Sequence, residues 1–236
     1  MQYGPRYAGR AGLGAADYAL TYNDPHSGRG TFSFCCCPGG EILAAASEPG
    51  GSVVNGMSPA ARNGLFTNAA VVVSVRPADF PSAEPLAGIE FQRMIERAAF
   101  RAAGNSYLGS AQRMSDFLAD RPSASIPANS LRIGTAPAEL KDFLPGFVVA
   151  ELRSAFSRWA GRFPAFAGPE ALLIGAETRT SSPVRIRRGP GGETEGIRGL
   201  YPVGEGSGYA GGITSSAIDA LKAVCSLCRV SLPETE

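Results

Sequence analysis

The stretch GLYPVGEGSGYAGGITSSAIDALKAV, at residues 199–224, predicts a strand, a glycine-rich turn and a helix in direct succession. Residues 200–203 form a short apolar run, the turn 204–212 carries Glu205 at its head, and apolar residues recur at helical spacing over 213–224. Backbone N–H groups at such a junction face outward and can bind an anion or a polarised carbonyl. The stretch therefore predicts a binding surface for a nucleotide cofactor.

A dinucleotide fingerprint, G-x-G-x-x-G, is spelled within this turn by Gly206, Gly208 and Gly211. In a complete dinucleotide-binding unit, the helix leads to a second parallel strand that carries an acid roughly 20 residues further on. The helix here is expected to end near residue 227, and Glu234 lies in a polar tail. We therefore predict a closing strand and helix beside a nucleotide site whose opening unit lies elsewhere.

Composition excludes several classes of function. The 236 residues are 44% hydrophobic and carry a net charge of +1, which provides no general field for nucleic acid or a membrane surface. No apolar run reaches the roughly 18–20 residues of a membrane span. The five cysteines are an odd number without the spacing of a small disulfide-rich domain, which favours a reducing compartment. We expect a cytoplasmic protein with no nucleic-acid or membrane partner.

The order of periodic segments predicts a mixed fold. Alternating runs separated by tight turns indicate an antiparallel sheet over residues 17–22, 30–35, 41–46, 52–56 and 69–75. Helical periodicity predicts helices over 86–103, 110–119 and 147–163, and an apolar run predicts a strand within 171–180. The predicted fold class is α/β of the α+β kind: an antiparallel sheet with helices, followed by the closing strand and helix of a Rossmann-type domain.

Four separated motifs resemble one protein family in the same order. They are FSFCCCPGGEILAAASEPGGSVVNGMS at 32–58, PLAGIEFQRMIERAAF at 85–100, GAETRTSSPVRI at 175–186 and GLYPVGEGSGYAGGITSSAIDALK at 199–222. They are similar to the C-terminal half of the bacterial FAD-dependent dehydrogenases of uncharacterised substrate, within the NAD(P)/FAD-dependent oxidoreductases. The resemblance implies FAD as cofactor, hydride transfer with a small-molecule substrate, and NAD(P)H as an electron donor. The family's N-terminal βαβ unit for FAD has no counterpart in this sequence.

The same resemblance implies a domain order and a cofactor site. Residues 1–15 would be an extended arm, 16–176 a mixed substrate or cap domain, and 177–236 the C-terminal part of the FAD-binding domain. Glu205 would face the ribityl or pyrophosphate part of FAD, and the N–H groups of Gly211, Gly212 and Ile213 would face the flavin pyrimidine. The cofactor-binding residues predicted in this way are Gly204, Glu205, Gly206, Gly208, Gly211, Gly212 and Ile213.

Two further motifs carry candidate chemistry. Cys35 and Cys37 begin and end a run of three cysteines, which would lie close to the flavin as redox-active thiols or would simply fill a strand end as small hydrophobes. Arg179 would hold an anionic substrate or a flavin-linked phosphate, or would form a buried pair with Glu177 that links the two domains. Cys225 and Cys228 form a C-x-x-C motif, but no second pair at zinc-site spacing accompanies it, and no metal site is predicted.

Two alternatives stay open from the sequence. A chain without the opening FAD unit could be a truncated, non-catalytic fragment or a binding module that does not hold FAD by itself. The basic run of Arg185, Arg187 and Arg188 is interpreted as a solvated hairpin rather than as a nucleic-acid patch, because the overall charge is close to neutral.

Overall fold

A computed structural model describes residues 20–230, so the predicted extended arm at 1–15 lies outside the described residues. The chain divides into two compact units. Unit 1 comprises the described part of Met1–Val75 together with Met94–Glu177, and unit 2 comprises Arg76–Arg93 and the described part of Thr178–Glu236. The predicted domain boundary between residues 176 and 177 stays a prediction. Segment 76–93, which lies inside the predicted substrate domain, belongs to unit 2 in the structure.

Unit 1 contains three small sheets. The first is antiparallel, in the order β1 (Thr21–Asn23), β2 (Gly30–Cys37) and β5 (Asn68–Val73). The second is the antiparallel hairpin of β3 (Glu41–Ala44) and β4 (Val54–Met57). In the third, β6 (Gly109–Arg113) lies between β7 (Thr135–Pro137), which is parallel to it, and β8 (Leu172–Gly175), which is antiparallel.

Residues 20–230 also contain four α-helices, and one predicted helix is wrong in part. The helices are α1 (Ala87–Ala102), α2 (Met114–Leu118), α3 (Gly146–Arg162) and α4 (Ile213–Cys228). The helix predicted over 110–119 is instead strand β6 followed by the short α2. Ser110, Ala111 and Gln112 are all buried between two neighbouring strands. Strands buried on both faces lose the alternation that separates them from buried helices, so the sequence pattern misled here.

The core of unit 1 forms around α3. Leu152, Ala155, Phe156 and Trp159 recur at helical spacing and are buried, as the periodicity predicts. The Phe156 ring contacts both Trp159 and Phe117 edge-on, with centroids 5.9 and 6.0 Å apart. Edge-to-face aromatic pairs combine large buried area with a favourable geometry. This cluster therefore supplies much of the unit's packing energy.

Unit 2 has little regular structure besides α4 and the start of α1. The strand predicted at 200–203 is wrong: these residues pair with no strand in the described chain. Pro202 has no N–H for a ladder, and its carbonyl oxygen accepts a hydrogen bond from the Arg188 side chain. The Leu200 carbonyl accepts from Thr194 N–H, as part of a loop. The described residues form an α+β fold, as predicted, but residues 200–203 do not form the predicted closing strand.

We expect Phe156→Ala to lower the free energy of unfolding of unit 1 by about 3–5 kcal/mol, because it leaves a cavity in the aromatic cluster. Phe163→Ala is the matched control, since Phe163 follows the same helix but is 44% exposed. Urea denaturation followed by Trp159 fluorescence measures both variants. Equal losses for the two variants would contradict this account of the core.

Candidate functional site

The glycine-rich turn before α4 is a closed loop with its own hydrogen bonds. Gly208 N–H donates to the Glu205 carbonyl at 2.8 Å, and Tyr209 N–H donates to the Gly204 carbonyl at 3.2 Å. Gly204 and Gly208 have φ angles of +74° and +85°, in the left-handed region that favours glycine. The turn therefore owes its shape to backbone geometry that only glycine adopts without strain.

The glycines of the turn have two different environments. A Cβ on Gly208 would overlap the Val184 carbonyl oxygen and lie 2.9 Å from the Cα of Arg185, and one on Gly204 would contact Ser216. By contrast, a Cβ on Gly206 or Gly211 would meet no atom within 4 Å. The first pair therefore shapes and packs the turn, whereas the second pair leaves its backbone open to an incoming group.

Several backbone N–H groups of the turn and of the first turn of α4 have no acceptor among residues 20–230. Those of Gly206, Gly211, Ile213 and Thr214 donate no hydrogen bond there. Gly212, the N-cap of α4, has no side chain to cap the helix, and its own N–H donates to Ser215 Oγ at 3.1 Å. Unpaired N–H groups and the positive end of the helix dipole suit a ligand with anionic or carbonyl oxygens. This donor set fits the pyrophosphate and the flavin carbonyls of FAD.

An ion pair joins α4 to the turn. Arg188 donates from Nη2 and Nη1 to the two carboxylate oxygens of Asp219, at 2.6 and 3.0 Å, and Gly204 N–H donates to the same carboxylate at 2.8 Å. Both side chains are only 15% exposed. The Arg188 guanidinium also lies 3.6 Å from the centroid of the Tyr209 ring. These contacts fix the position of the turn against the first half of α4.

The charges of this pair stabilise each other. The hydrogen bonds from Arg188, and then the Gly204 N–H, hold the pKa of Asp219 below its usual range. The same carboxylate raises the pKa of Arg188. The interpretation of Arg188 as part of a solvated hairpin is therefore wrong, although Arg185 and Arg187 are exposed. One sequence signal could have found the pair, because Asp219 is the only acid between residues 206 and 228.

Arg179 lies in the segment that follows β8 and leads toward the turn. It is exposed, and the neighbouring Thr178 carbonyl accepts a hydrogen bond from Gln92 Nε2 at 2.7 Å. Further along, Ser182 Oγ lies 3.1 Å from the Gly206 carbonyl oxygen, and Arg185 Nε donates to the Gly208 carbonyl at 3.0 Å. The structure thus brings residues 182–185 into contact with the turn.

The cysteine run lies in unit 1, at an irregularity of β2. The register between β2 and β5 shifts between Phe34 and Cys37, and Cys35 has a φ of +48°, which is unusual for a residue other than glycine. Cys35 and Cys36 are exposed, whereas Cys37 is buried and donates its thiol proton to the Cys35 carbonyl at 3.3 Å. Burial raises the pKa of the Cys37 thiol. Of the two predicted cysteines, Cys35 is the accessible one.

The remaining motifs define no further site in the part of the chain that the structure describes. Cys225 is half-buried and Cys228 is exposed, both on α4. Across residues 20–230, no three histidine, cysteine or acidic side chains lie close enough together to hold a metal ion. No helix within the same range is long and apolar enough to cross a membrane.

These features define an α+β protein with a glycine turn and helix N-terminus suited to a nucleotide cofactor. A family model described as "FAD-dependent protein, C-terminal domain-like" matches residues 1–180, and the chain belongs to that family. The match confirms the coarser part of the predicted family, namely a C-terminal domain of an FAD-dependent protein. The matched region ends before the glycine turn, so the interpretation of the turn as a cofactor site depends on the geometry of the turn alone.

A relative of this chain is considerably longer than the chain itself. An uncharacterized protein of Clostridium beijerinckii (strain ATCC 51743 / NCIMB 8052) is 45% identical over 212 residues, which are 89% of this chain and 40% of that protein. The chain therefore spans about two fifths of the length of this relative.

We expect Gly208→Ala to destabilise unit 2 by at least about 1–2 kcal/mol, because alanine is strained at positive φ and its methyl group would overlap the Val184 carbonyl. Gly206→Ala, at an open position of the same turn, should leave the stability unchanged within about half a kcal/mol. Thermal unfolding of the two variants makes the comparison. An equal loss in both would show that the two glycines have the same role.

We expect Asp219→Asn to remove a contribution to stability that depends on pH. Because the folded state lowers the pKa of Asp219, its stabilising effect is fully present above the unfolded pKa of about 3.9 and is lost as the pH falls through the folded pKa. The wild-type chain should therefore be more stable than the variant near neutral pH, and the two should converge in acid. Urea unfolding at a series of pH values measures the gap, and a gap independent of pH would contradict the ion-pair account.

Proposed function

We propose that this chain is the C-terminal portion of an FAD-dependent oxidoreductase, a dehydrogenase that transfers hydride between a small organic substrate and flavin. Membership of the FAD-dependent family supports the cofactor. The observation that carries the proposal is the set of N–H groups at Gly206, Gly211 and Ile213, in the turn and at the start of α4, that have no acceptor among residues 20–230. When bound, FAD would supply the two-electron chemistry that amino-acid side chains lack.

The residues of the turn would hold the cofactor in two ways. The N–H groups of Gly211 and Ile213, at the positive end of the α4 dipole, would stabilise negative charge that develops on the flavin pyrimidine. Glu205 is half-buried and makes no ion pair within residues 20–230, so its carboxylate is available for ribityl hydroxyl groups. Gly204 and Gly208 would act indirectly, by giving the turn its shape.

The predicted catalytic residues have separate proposed roles, because they lie in different units. Arg179, exposed in unit 2, would bind an anionic group of the substrate through its planar guanidinium. Cys35, exposed in unit 1, is the better candidate for a thiol that reacts near the flavin. Cys37 would instead support the bulge that presents Cys35, since its pKa is raised and its thiol is buried.

The proposed activity requires a further domain besides the two units described here. The relative from Clostridium beijerinckii has three fifths of its length outside the region that this chain matches. We infer that the FAD-binding βαβ unit, and a site for NAD(P)H as electron donor, are provided by a domain equivalent to that remainder. The domain scheme 16–176 for substrate and 177–236 for FAD is part of this proposal.

We expect Gly212→Asp to lower the reduction potential of flavin held by the chain, by about 10–40 mV, because it places a negative charge against a developing anion at a helix N-terminus. Ser226→Asp adds the same charge to an exposed position in the last turn of α4 and is the control. Spectroelectrochemical titration of the FAD-loaded protein gives both potentials. An unchanged potential in Gly212→Asp would refute the proposed orientation of the flavin.

The amount of flavin retained tests the proposal against a non-catalytic fragment. The 236-residue chain is mixed with FAD at about tens of micromolar, in the usual range of weak ligand affinities, and passed over a gel-filtration column. Retained flavin absorbance that Gly212→Asp diminishes and Ser226→Asp preserves would support the turn as an FAD site. A colourless chain would show that it is not a flavoprotein on its own.

A further inference from the structure

A cleft in unit 1 lies between strand β1 and the C-terminal part of α3. Its volume is about 620 Å³, within the roughly 300–1,000 Å³ that is usual for small-molecule sites. The described residues that line it include Leu20, Thr21, Arg158, Trp159, Arg162 and Phe163. All of them belong to unit 1, whereas the glycine turn belongs to unit 2. The cleft is therefore separate from the residues proposed to hold FAD.

Hydrogen bonds of β1 hold one wall of the cleft in place. The Leu20 carbonyl accepts from Ser33 N–H at 2.9 Å, on the side of β1 that faces β2. The next carbonyl, that of Thr21, points to the other side, as successive carbonyls of a strand do, and accepts from Trp159 Nε1 at 3.4 Å. Trp159 is only 3% exposed. Its indole is thus fixed between the core and the cleft, so this wall is formed before any ligand binds.

Two arginines of α3 give the cleft a positive charge. Arg158 and Arg162 are four residues apart, so their Cβ atoms lie about 5–6 Å apart on one side of the helix. Both are exposed, and neither forms an ion pair with an acid within residues 20–230. The Arg162 guanidinium lies 5.1 Å from the centroid of the Phe163 ring, at the end of the helix. None of the described residues that line the cleft is acidic.

The helix dipole does not by itself account for both arginines. A basic residue is favourable in the last turn of a helix, and Arg162 has that place. Arg158 precedes the last turn, and two like charges four residues apart repel each other. On another face of the same helix, Arg153 shows the usual arrangement, because its Nη2 donates to Asp120 at 2.9 Å. The Arg158 and Arg162 guanidinium groups therefore keep donors for an anionic group.

The residues of the cleft favour one class of anion. Guanidinium groups bind carboxylates through paired N–H···O bonds. The carbonyl end of the α3 dipole is negative, which disfavours the higher charge of a phosphate. Beside the arginines lie the Trp159 indole and the Phe163 ring, which is 44% exposed, and these suit a flat apolar group. A peptide strand fits less well, because β1 has only three residues to pair with it.

We propose that this cleft binds a small carboxylate with a flat apolar body. Its carboxylate lies between Arg158 and Arg162, and its apolar part lies against Trp159. This is a binding site in addition to the proposed FAD site, and it goes beyond the proposed function because it requires neither flavin nor a further domain.

The fluorescence of Trp159 tests the proposal, because Trp159 is the only tryptophan of the chain and lines the cleft. The 236-residue chain is titrated with benzoate, phenylacetate and hydrocinnamate, in which the carboxylate lies progressively further from the ring. We expect at least one of them to change the emission saturably, with a Kd of about 1 mM or below. Benzyl alcohol, which has the ring without the charge, and inorganic phosphate, which has charge without a ring, should bind at least about tenfold more weakly.

Variants of the two arginines locate the site. Arg158→Gln and Arg162→Gln should each raise the Kd of the tightest carboxylate by at least about tenfold, because each removes one guanidinium group and keeps a polar side chain. Arg101→Gln is the matched control, since Arg101 is an exposed arginine in the last turn of α1 and does not line the cleft. It should leave the Kd unchanged. Urea unfolding of the three variants verifies that each is folded.

The remaining outcomes overturn the proposal. Binding of none of the three carboxylates would do so, as would inorganic phosphate or benzyl alcohol binding as tightly as the best carboxylate. A Kd that Arg158→Gln and Arg162→Gln leave unchanged, or that Arg101→Gln raises equally, would show that the carboxylate does not bind between these arginines. The titration contains no flavin, so its result is independent of the flavin-retention experiment.

Discussion

The arrangement of unit 2 depends on one ion pair. Asp219 extends from the middle of α4, accepts two hydrogen bonds from Arg188 and a third from the N–H of Gly204 at the start of the turn. Arg188 in turn donates to the Pro202 carbonyl and stacks on Tyr209, which lies within the turn. Unit 2 has no sheet among its described residues, so these side-chain contacts, rather than a ladder of strand hydrogen bonds, hold its segments together. They place the glycine turn against the N-terminal half of a single helix.

Asp219 neutralises Arg188 and accepts a hydrogen bond from one N–H group of the turn, while some other N–H groups of the turn keep no acceptor among the described residues. The N–H of Gly204 is satisfied by Asp219, whereas those of Gly206 and Gly211 have no acceptor among the described residues. Because the Arg188 charge is already paired and 15% exposed, it is not itself the group that faces a ligand. Binding would instead use neutral, pre-oriented backbone donors at a helix N-terminus. Such donors need little rearrangement when an anionic ligand binds.

The sequence predicted some of these features and missed others, for reasons that differ from residue to residue. Helices α1 and α3 were predictable because their buried side chains follow a 3.6-residue period over 16 and 17 residues. Segment 110–113 was not, since three consecutive buried residues carry no period. The sequence predicts the glycine turn correctly but the strand before it wrongly, because the apolar run that favours a strand contains Pro202, which has no N–H for a ladder. The Arg188–Asp219 pair joins residues 31 apart, and local patterns do not report such contacts.

Helix α4 shows why a correct amphipathic pattern can still mislead about burial. Periodicity identifies which side chains share a face, but it does not say what covers that face. In this helix the narrow face of Ser216, Asp219 and Ala223 contacts the chain's own loop, since small residues permit the close approach that Gly192 and Gly204 also require. The wide face of Ile213, Leu221 and Val224 keeps its area exposed. A hydrophobic surface that large is stabilising only when covered. The period of α4 therefore identifies its apolar face correctly, whereas the exposure of that face follows from the small residues that pack on the opposite side.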